Sequence, residues 1–363
     1  MAGRRSGTES TVVGGATARP GLAMQSGSVA LAVQVAAEAE RRGLPSFWSS
    51  EFYDRSAVVT LAAVAAATSR IRLGSAVAWA LGRTPVTLAT EFRSLAELAL
   101  GRVALGLGTG NPQVIADWHG MDEARPAARL SELVPLIRSI WEVGTTAVEH
   151  DGEFYRCRMA ADPLLPAWPA SAADGPVGLD GDRPEILVAG GRQPMLRAAG
   201  AVADGLLGLP LCSRAYAEEV VRPTLADAAR RAGRARPVPV TGMIICAVGE
   251  HSAQARTSAA FQVAVFAARQ SAAPLMAFHG FEREAVAIRD AMARGDVPTA
   301  AAAVTDRMLD ELTVYGTPEE AIERFEKMFG GVYEEPLLFS AGKGMPAGGF
   351  HDSLMAVCEA FAS

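Results

Sequence analysis

The sequence predicts an α/β chain built as a (β/α)8 TIM barrel with insertion regions, and three observations carry that reading. Eight short apolar runs alternate with segments of helical periodicity. The chain has 363 residues, 50% of them hydrophobic, which suits one barrel-sized domain with insertions. Its densest glycine turns follow the fourth and fifth runs, whereas a doubly wound sheet carries its glycine turn after the first.

Each element has a local reason. Residues 1–20 are rich in Gly, Ser, Thr and Ala and read as a disordered leader; Arg4–Arg5 is followed by no apolar segment of the kind an export signal needs. Residues 21–363 read as a single domain. Gly21–Gln25 is the first strand, and Ser28 caps a helix that ends at Gly43. Ser46–Ser50 is the second strand, Leu61–Ser69 a helix, and Ile71–Trp79 the third strand. Thr84–Pro85 opens the next helix with proline at its first position. Arg102–Gly108 is the fourth strand. Leu130, Leu133, Val134, Ile137 and Trp141 form one stripe of a helix over Arg129–Val143. Ala147–Cys157 reads as a hairpin turning at Asp151–Gly152, and residues 160–183 as a long loop. Glu185–Gly191, Asp204–Pro210 and Val238–Gly249 are the fifth to seventh strands. Residues 251–312 are helical and too long for a simple crossover, so they form an insertion, as do residues 145–183. Thr317-Pro318-Glu319-Glu320 combines an N-cap, a first-position proline and a capping-box glutamate. Glu335–Gly342 is the eighth strand, and a last helix closes the chain.

Composition excludes several function classes. A net charge of −6 argues against nucleic acid or an anionic membrane as partner and leaves a small molecule. No run approaches the roughly 18 apolar residues of a membrane helix. The four cysteines (Cys157, Cys212, Cys246, Cys358) form no CxxC pair, and a reducing cytoplasm is the expected compartment. The five histidines (His119, His150, His251, His279, His351) show no HxxxH or HExxH spacing, so no metal site is expected. Gly342–Gly344 lacks the frame of a phosphate-binding P-loop, and no GxSxG elbow occurs.

Four strand-end segments carry the candidate chemistry. Gly106–Asn111 lacks the last glycine of GxGxxG and the acid that should follow it. It reads instead as a loop whose glycines let backbone approach a flat ring, with Thr109, Gly110 and Asn111 supplying polar contacts. Ala189-Gly190-Gly191 runs into a helix start, where free backbone amides favour a phosphate. Glu51 follows the second strand and is placed to accept a hydrogen bond from a cofactor or to act as acid or base. Asp54 and Arg55 read as an ion pair capping the next helix. His119, beside Trp118, is the proton-transfer candidate near neutral pH. Phe52, Tyr53, Trp79 and Trp118 give an aromatic substrate pocket suited to a less polar molecule.

The segments RIRLGSAV, GRVALGLGTGN, RLSEL, HDGEFY, ILVAGGRQPMLRAAGAVADG and YGTPEEAIERF together resemble the bacterial-luciferase-like superfamily, nearest its coenzyme F-420-dependent branch. The resemblance covers Gly21 to the C-terminus. It implies a barrel that is usually dimeric, with coenzyme F-420 or, alternatively, FMN at the C-terminal strand ends. It implies a non-prolyl cis peptide in the third strand, here Ala76–Val77, a phosphate turn at Gly190–Gly191, and an acid near the ring, here Glu51. Two departures stand out. In the sugar-phosphate dehydrogenase of that branch a catalytic histidine occupies the position of Phe52, and an acid that of Asn111, so that substrate is not expected. The implied activity is hydride transfer between coenzyme F-420 and a small organic substrate, with Glu51, Asn111 and His119 as catalytic candidates. The alternatives are an FMN-dependent monooxygenase fed by a flavin reductase, and a non-catalytic barrel homologue.

Overall fold

Eight parallel strands close on themselves in a computed structural model that describes residues 18–121, 124–143, 146–161, 183–342, 345 and 348–362. They are β1 (Gly21–Met24), β2 (Ser46–Ser49), β3 (Arg72–Ser75), β4 (Val103–Gly108), β5 (Glu185–Gly190), β6 (Gly205–Gly208), β7 (Val240–Val248) and β8 (Glu335–Ser340). Closure runs from β8 back to β1 with Leu22 opposite Leu338, and from β6 to β7 with Leu207 opposite Thr241. The barrel and all eight of its strands follow the expected order. Most of the leader expected over 1–20, and residues 162–182 of the long loop, lie outside the described residues.

The caps explain where helices begin. Ser28 accepts the Leu31 amide at 3.1 Å and starts Val29–Arg41, with Gly43 just beyond at φ +79°. Thr84 accepts the Thr87 amide at 3.1 Å, and Pro85 opens Pro85–Ala99. Both halves of the Thr317/Glu320 capping box are formed ahead of Pro318–Phe329.

One feature follows the resemblance and two differ from expectation. As the resemblance implies, the Ala76–Val77 peptide is cis; it interrupts the third strand, and the chain rejoins the sheet at Ala78–Trp79, opposite Leu107 and Gly108 of β4. The hairpin turns over Gly152–Tyr155 rather than at Asp151–Gly152, since Asp151 already pairs with Arg156. The reason is Glu132 of helix Pro126–Trp141, whose carboxylate accepts the Phe154 amide at 3.0 Å and the Tyr155 amide at 2.8 Å. Finally, a ninth parallel strand, Thr313–Gly316, pairs with the upper half of β7, Ile245 opposite Thr313. β7 spans nine residues and β6 four, so the edge of β7 outlasts its neighbour and the extra strand covers it.

The floor of the barrel is polar. Glu335 of β8 accepts from Trp48 Nε1 at 3.2 Å, Arg72 at 2.9 Å and Thr241 at 3.3 Å, and Arg72 also meets Glu185 at 2.5 Å. A β8 side chain that reaches β2, β3 and β7 lies inside the barrel. By strand alternation Leu337 and Phe339 face inward too.

Candidate active site

The C-terminal ends of β2, β3 and β4 meet around the cis bulge. The Ala76 amide donates to Ser49 O at 2.9 Å, and Ser50 Oγ donates to Ala76 O at 2.6 Å, so the end of β2 holds the bulge from one side. β4 supports it from the other. A Cβ on Gly108 would sit 2.5 Å from Val77 Cγ2, and one on Gly106 would sit 2.0 Å from Ser75 O. Only glycine lets these backbones approach so closely. Gly110 takes φ +72° just above, and Thr109 beside it is partly exposed.

Glu51 is committed on both oxygens. Arg83 grips it through two hydrogen bonds of 2.6 Å each, and the Trp79 amide donates to the same carboxylate at 2.8 Å. Arg83 also pairs with Glu91 at 2.8 Å. The Arg83 and Glu51 side chains are only 14% and 9% exposed. The hydrogen bond to Glu51 raises the Arg83 pKa, and burial raises that of Glu91 even though Arg83 pulls it down. The acid expected to work on a cofactor or a proton is thus the clamp that fixes the strand after the bulge.

The four expected pocket aromatics form one cluster. Phe52 lies 4.8 Å from Tyr53, 6.3 Å from Trp79 and 5.2 Å from Trp118 between ring centroids. His119 meets the Trp79 face edge-on at 5.1 Å. Trp79 packs with Leu81 and Ile115 in a small apolar cluster separate from the main core. Asn111 is exposed, and its carbonyl accepts the Ile115 amide at the start of helix Pro112–His119. Arg55 does not form the expected ion pair with Asp54. It turns inward and donates to the carbonyls of Gln25 and Gly27, and Ser56 caps the following helix instead.

Across the mouth, Ala189, Gly190 and Gly191 end β5 and are buried. The helix Gln193–Val202 follows with no side chain capping its first turn, which leaves its leading amides for a ligand. Tyr216 Oη donates to Gly191 O at 2.7 Å and braces the turn. Beside it lies a cavity of about 420 Å³ lined by Arg192, Gln193, Pro194, Tyr216, Val220 and Phe278, among others.

Comparison with known proteins agrees with this geometry. The model of the luciferase-like monooxygenases matches residues 11–334. The chain belongs to that family. This luciferase-like chain is an oxidoreductase. It is 27% identical over 297 residues to a 5,10-methylenetetrahydromethanopterin reductase of Archaeoglobus fulgidus, covering 80% of this chain and 83% of the relative. The fold is that of the coenzyme F-420-dependent tetrahydromethanopterin reductase of Methanopyrus kandleri, with a TM-score of 0.77 at 21% identity over 95% of this chain and 100% of that one. It is also similar to the oxygenating constituent of 3,6-diketocamphane monooxygenase of Pseudomonas putida, solved with FMN, at a TM-score of 0.62 and 18% identity over 96% and 98% of the two chains.

Sequence reasoning missed Arg83, Glu91 and Tyr216. Arg83 had a usable signal: a cation at a strand end, immediately before the Thr84–Pro85 helix start, faces the acid that ends the preceding strand. Tyr216 had none, since it acts across more than twenty residues of intervening chain.

Proposed function

We propose that this luciferase-like oxidoreductase moves a hydride between coenzyme F-420 and a small organic substrate. The observation that carries the reading is the mouth itself: a glycine-flanked bulge on one side and an uncapped helix start after Gly190–Gly191 on the other. A flat ring fits over Val77, Gly108 and Thr109, and a phosphate fits the turn at Gly191. The cavity beside Arg192 has room for the rest of an anionic tail. When bound, a deazaflavin supplies the hydride acceptor or donor. The chain's own part is positioning. Glu51, held by Arg83, fixes the Trp79 amide and with it the bulge. The Phe52, Tyr53, Trp79 and Trp118 rings contact the substrate, His119 on Trp79 is the group placed to move a proton, and Asn111 orients substrate at the rim.

The helix Ala57–Ala67, apolar but for the buried Thr60 and with Val59 61% exposed, suits a homodimer. The cysteines are not nucleophiles: all four are buried thiols, and burial pushes Cys212 up to about 12. A reducing, cytoplasmic setting suits them.

Titration of the purified protein with coenzyme F-420 and with FMN, read by fluorescence, tests the cofactor. Micromolar F-420 affinity with weaker FMN binding is expected. Tight FMN binding without F-420 affinity rejects this reading in favour of a monooxygenase working with a flavin reductase. That second reading draws on the similarity to the FMN-bound neighbour.

A further inference from the structure

The helix Ser252–Ala267 packs against β7 and the extra strand Thr313–Gly316. Its fully buried Gln262 donates to Cys246 O of β7 at 3.2 Å and accepts the Ala341 amide, just past β8, at 2.9 Å. The helix is therefore pinned at the C-terminal strand ends. Four residues on, Phe266 sets its ring 5.5 Å from that of Phe339, which faces the barrel interior. The chain then turns through Arg269 and Ala272 into a short helix, Ala273–Phe278, whose Leu275 packs on Gly191 at the end of β5. The segment from Phe266 to Leu275 thus links Phe339 of β8 to Gly191 at the end of β5, on the C-terminal side of the barrel.

Arg269 stands on that link. Its guanidinium lies over the Phe266 ring, 4.6 Å from Cζ to the centroid. Among the described residues it makes no ion pair and no side-chain hydrogen bond. Two other arginines lose basicity to burial, Arg55 and Arg102, and both are satisfied by backbone carbonyls. Arg269 also loses basicity to burial, and among the described residues no carboxylate offsets it. A recessed cation without a counter-ion, in a chain of net charge −6, is a site built for a charge that arrives from outside.

We propose that Arg269 is the counter-ion for an oxyanion, a carboxylate or phosphate, carried by the substrate at the barrel mouth; this deepens the oxidoreductase reading and rests on it. Phe266 supports the guanidinium from beneath, and its fork is of the kind that makes two parallel hydrogen bonds to an oxyanion. The substrate is then an amphipathic acid: its charged end meets Arg269 and its less polar body faces the aromatic cluster across the mouth. A phosphate or carboxylate of the cofactor's own tail shares this chemistry, and the test separates the two sources.

Calorimetric titrations of wild type, Arg269→Lys and Arg269→Met with inorganic phosphate, benzoate, coenzyme F-420 and FMN decide the matter, with urea midpoints confirming that each variant is folded. Wild type is expected to bind phosphate or benzoate, Arg269→Met about tenfold or more weakly, and Arg269→Lys in between, with cofactor affinities unchanged. A loss confined to F-420 and FMN assigns the oxyanion to the cofactor and overturns the substrate assignment. Equal anion affinities in all three proteins, or no anion binding by wild type, overturns the site. Wild type that binds phosphate through Arg269 but neither cofactor supports the anion site while rejecting the cofactor reading.

Discussion

Two arginines in this barrel each bridge two carboxylates, one at the floor and one at the mouth, and the same set of charges serves different ends. At the floor Arg72 joins Glu185 and Glu335, with Glu185 60% exposed and Glu335 also receiving Trp48 and Thr241. At the mouth Arg83 joins Glu51 and Glu91 in a drier setting, and among the described residues Glu51 has only the Trp79 amide besides. The floor triad stitches five strands together and remains partly solvated. The mouth triad fixes one loop and the strand after the bulge, and its charges depend on each other. A buried ion pair stabilises little by its presence and costs much when broken.

The largest expected effect tests that contrast directly. Arg83→Met strands two desolvated carboxylates and is expected to cost about 3–5 kcal/mol by urea denaturation. Arg72→Met leaves Glu335 with two neutral donors and Glu185 in water, and is expected to cost about 1–2 kcal/mol. Equal losses break the comparison. Next comes the bulge that the mouth triad serves. Gly106→Ala puts a Cβ 2.0 Å from Ser75 O, a backbone atom that cannot swing away, and should cost about 1–3 kcal/mol together with cofactor affinity. Gly208→Ala, where the nearest atom is Thr241 O at 3.5 Å, should cost about 0.5 kcal/mol or less.

Two pH dependences sharpen the picture further. Glu132, outside the barrel, pairs with no arginine among the described residues. Burial raises its pKa, but hydrogen bonds from His150 and from the Phe154 and Tyr155 amides outweigh that and hold it below 4.5. Its contribution is therefore present above the unfolded value and lost as pH falls through the folded one. Glu132→Gln should cost about 1 kcal/mol at neutral pH and nothing in acid. Glu91 has the opposite sign. Burial raises its pKa above 4.5, so the folded chain holds that proton more tightly and stability falls as pH climbs from 4.5 through the raised value. Glu91→Gln should remove that decline and leave the protein slightly more stable than wild type at neutral pH, the smallest of these effects.

Much of the architecture was legible because it is local. Apolar runs bounded by glycine and proline marked all eight barrel strands, and Ser28, Thr84 and Thr317 marked helix starts by a mechanism acting within four residues. The Gly106–Asn111 and Gly190–Gly191 turns were legible as strand ends, and resemblance placed the cis bond at Ala76–Val77. What was not legible depends on distant partners. Thr313–Gly316 becomes a strand because β7 outruns β6, a fact about two other segments. The hairpin turn shifts because Glu132 reaches it from a helix. Glu51 looked like a free acid because its partner Arg83 lies thirty-two positions away, at the end of the next strand. Arg269 lay inside an alanine-rich insertion and only the link from β8 to β5 gives it meaning.

The short strand Thr313–Gly316 also has a bearing on how such a catalyst diversifies. The excursion that begins after Val248 returns to the flank of the strand it left, where the Gly249 amide bonds Gly316 O at 3.1 Å. Its entry and exit are adjacent, so the intervening helices resemble a cassette clipped to one socket. Exchange of that cassette would rewrite selectivity while leaving the cylinder beneath untouched, a modular route to new chemistry that engineering can follow as readily as descent.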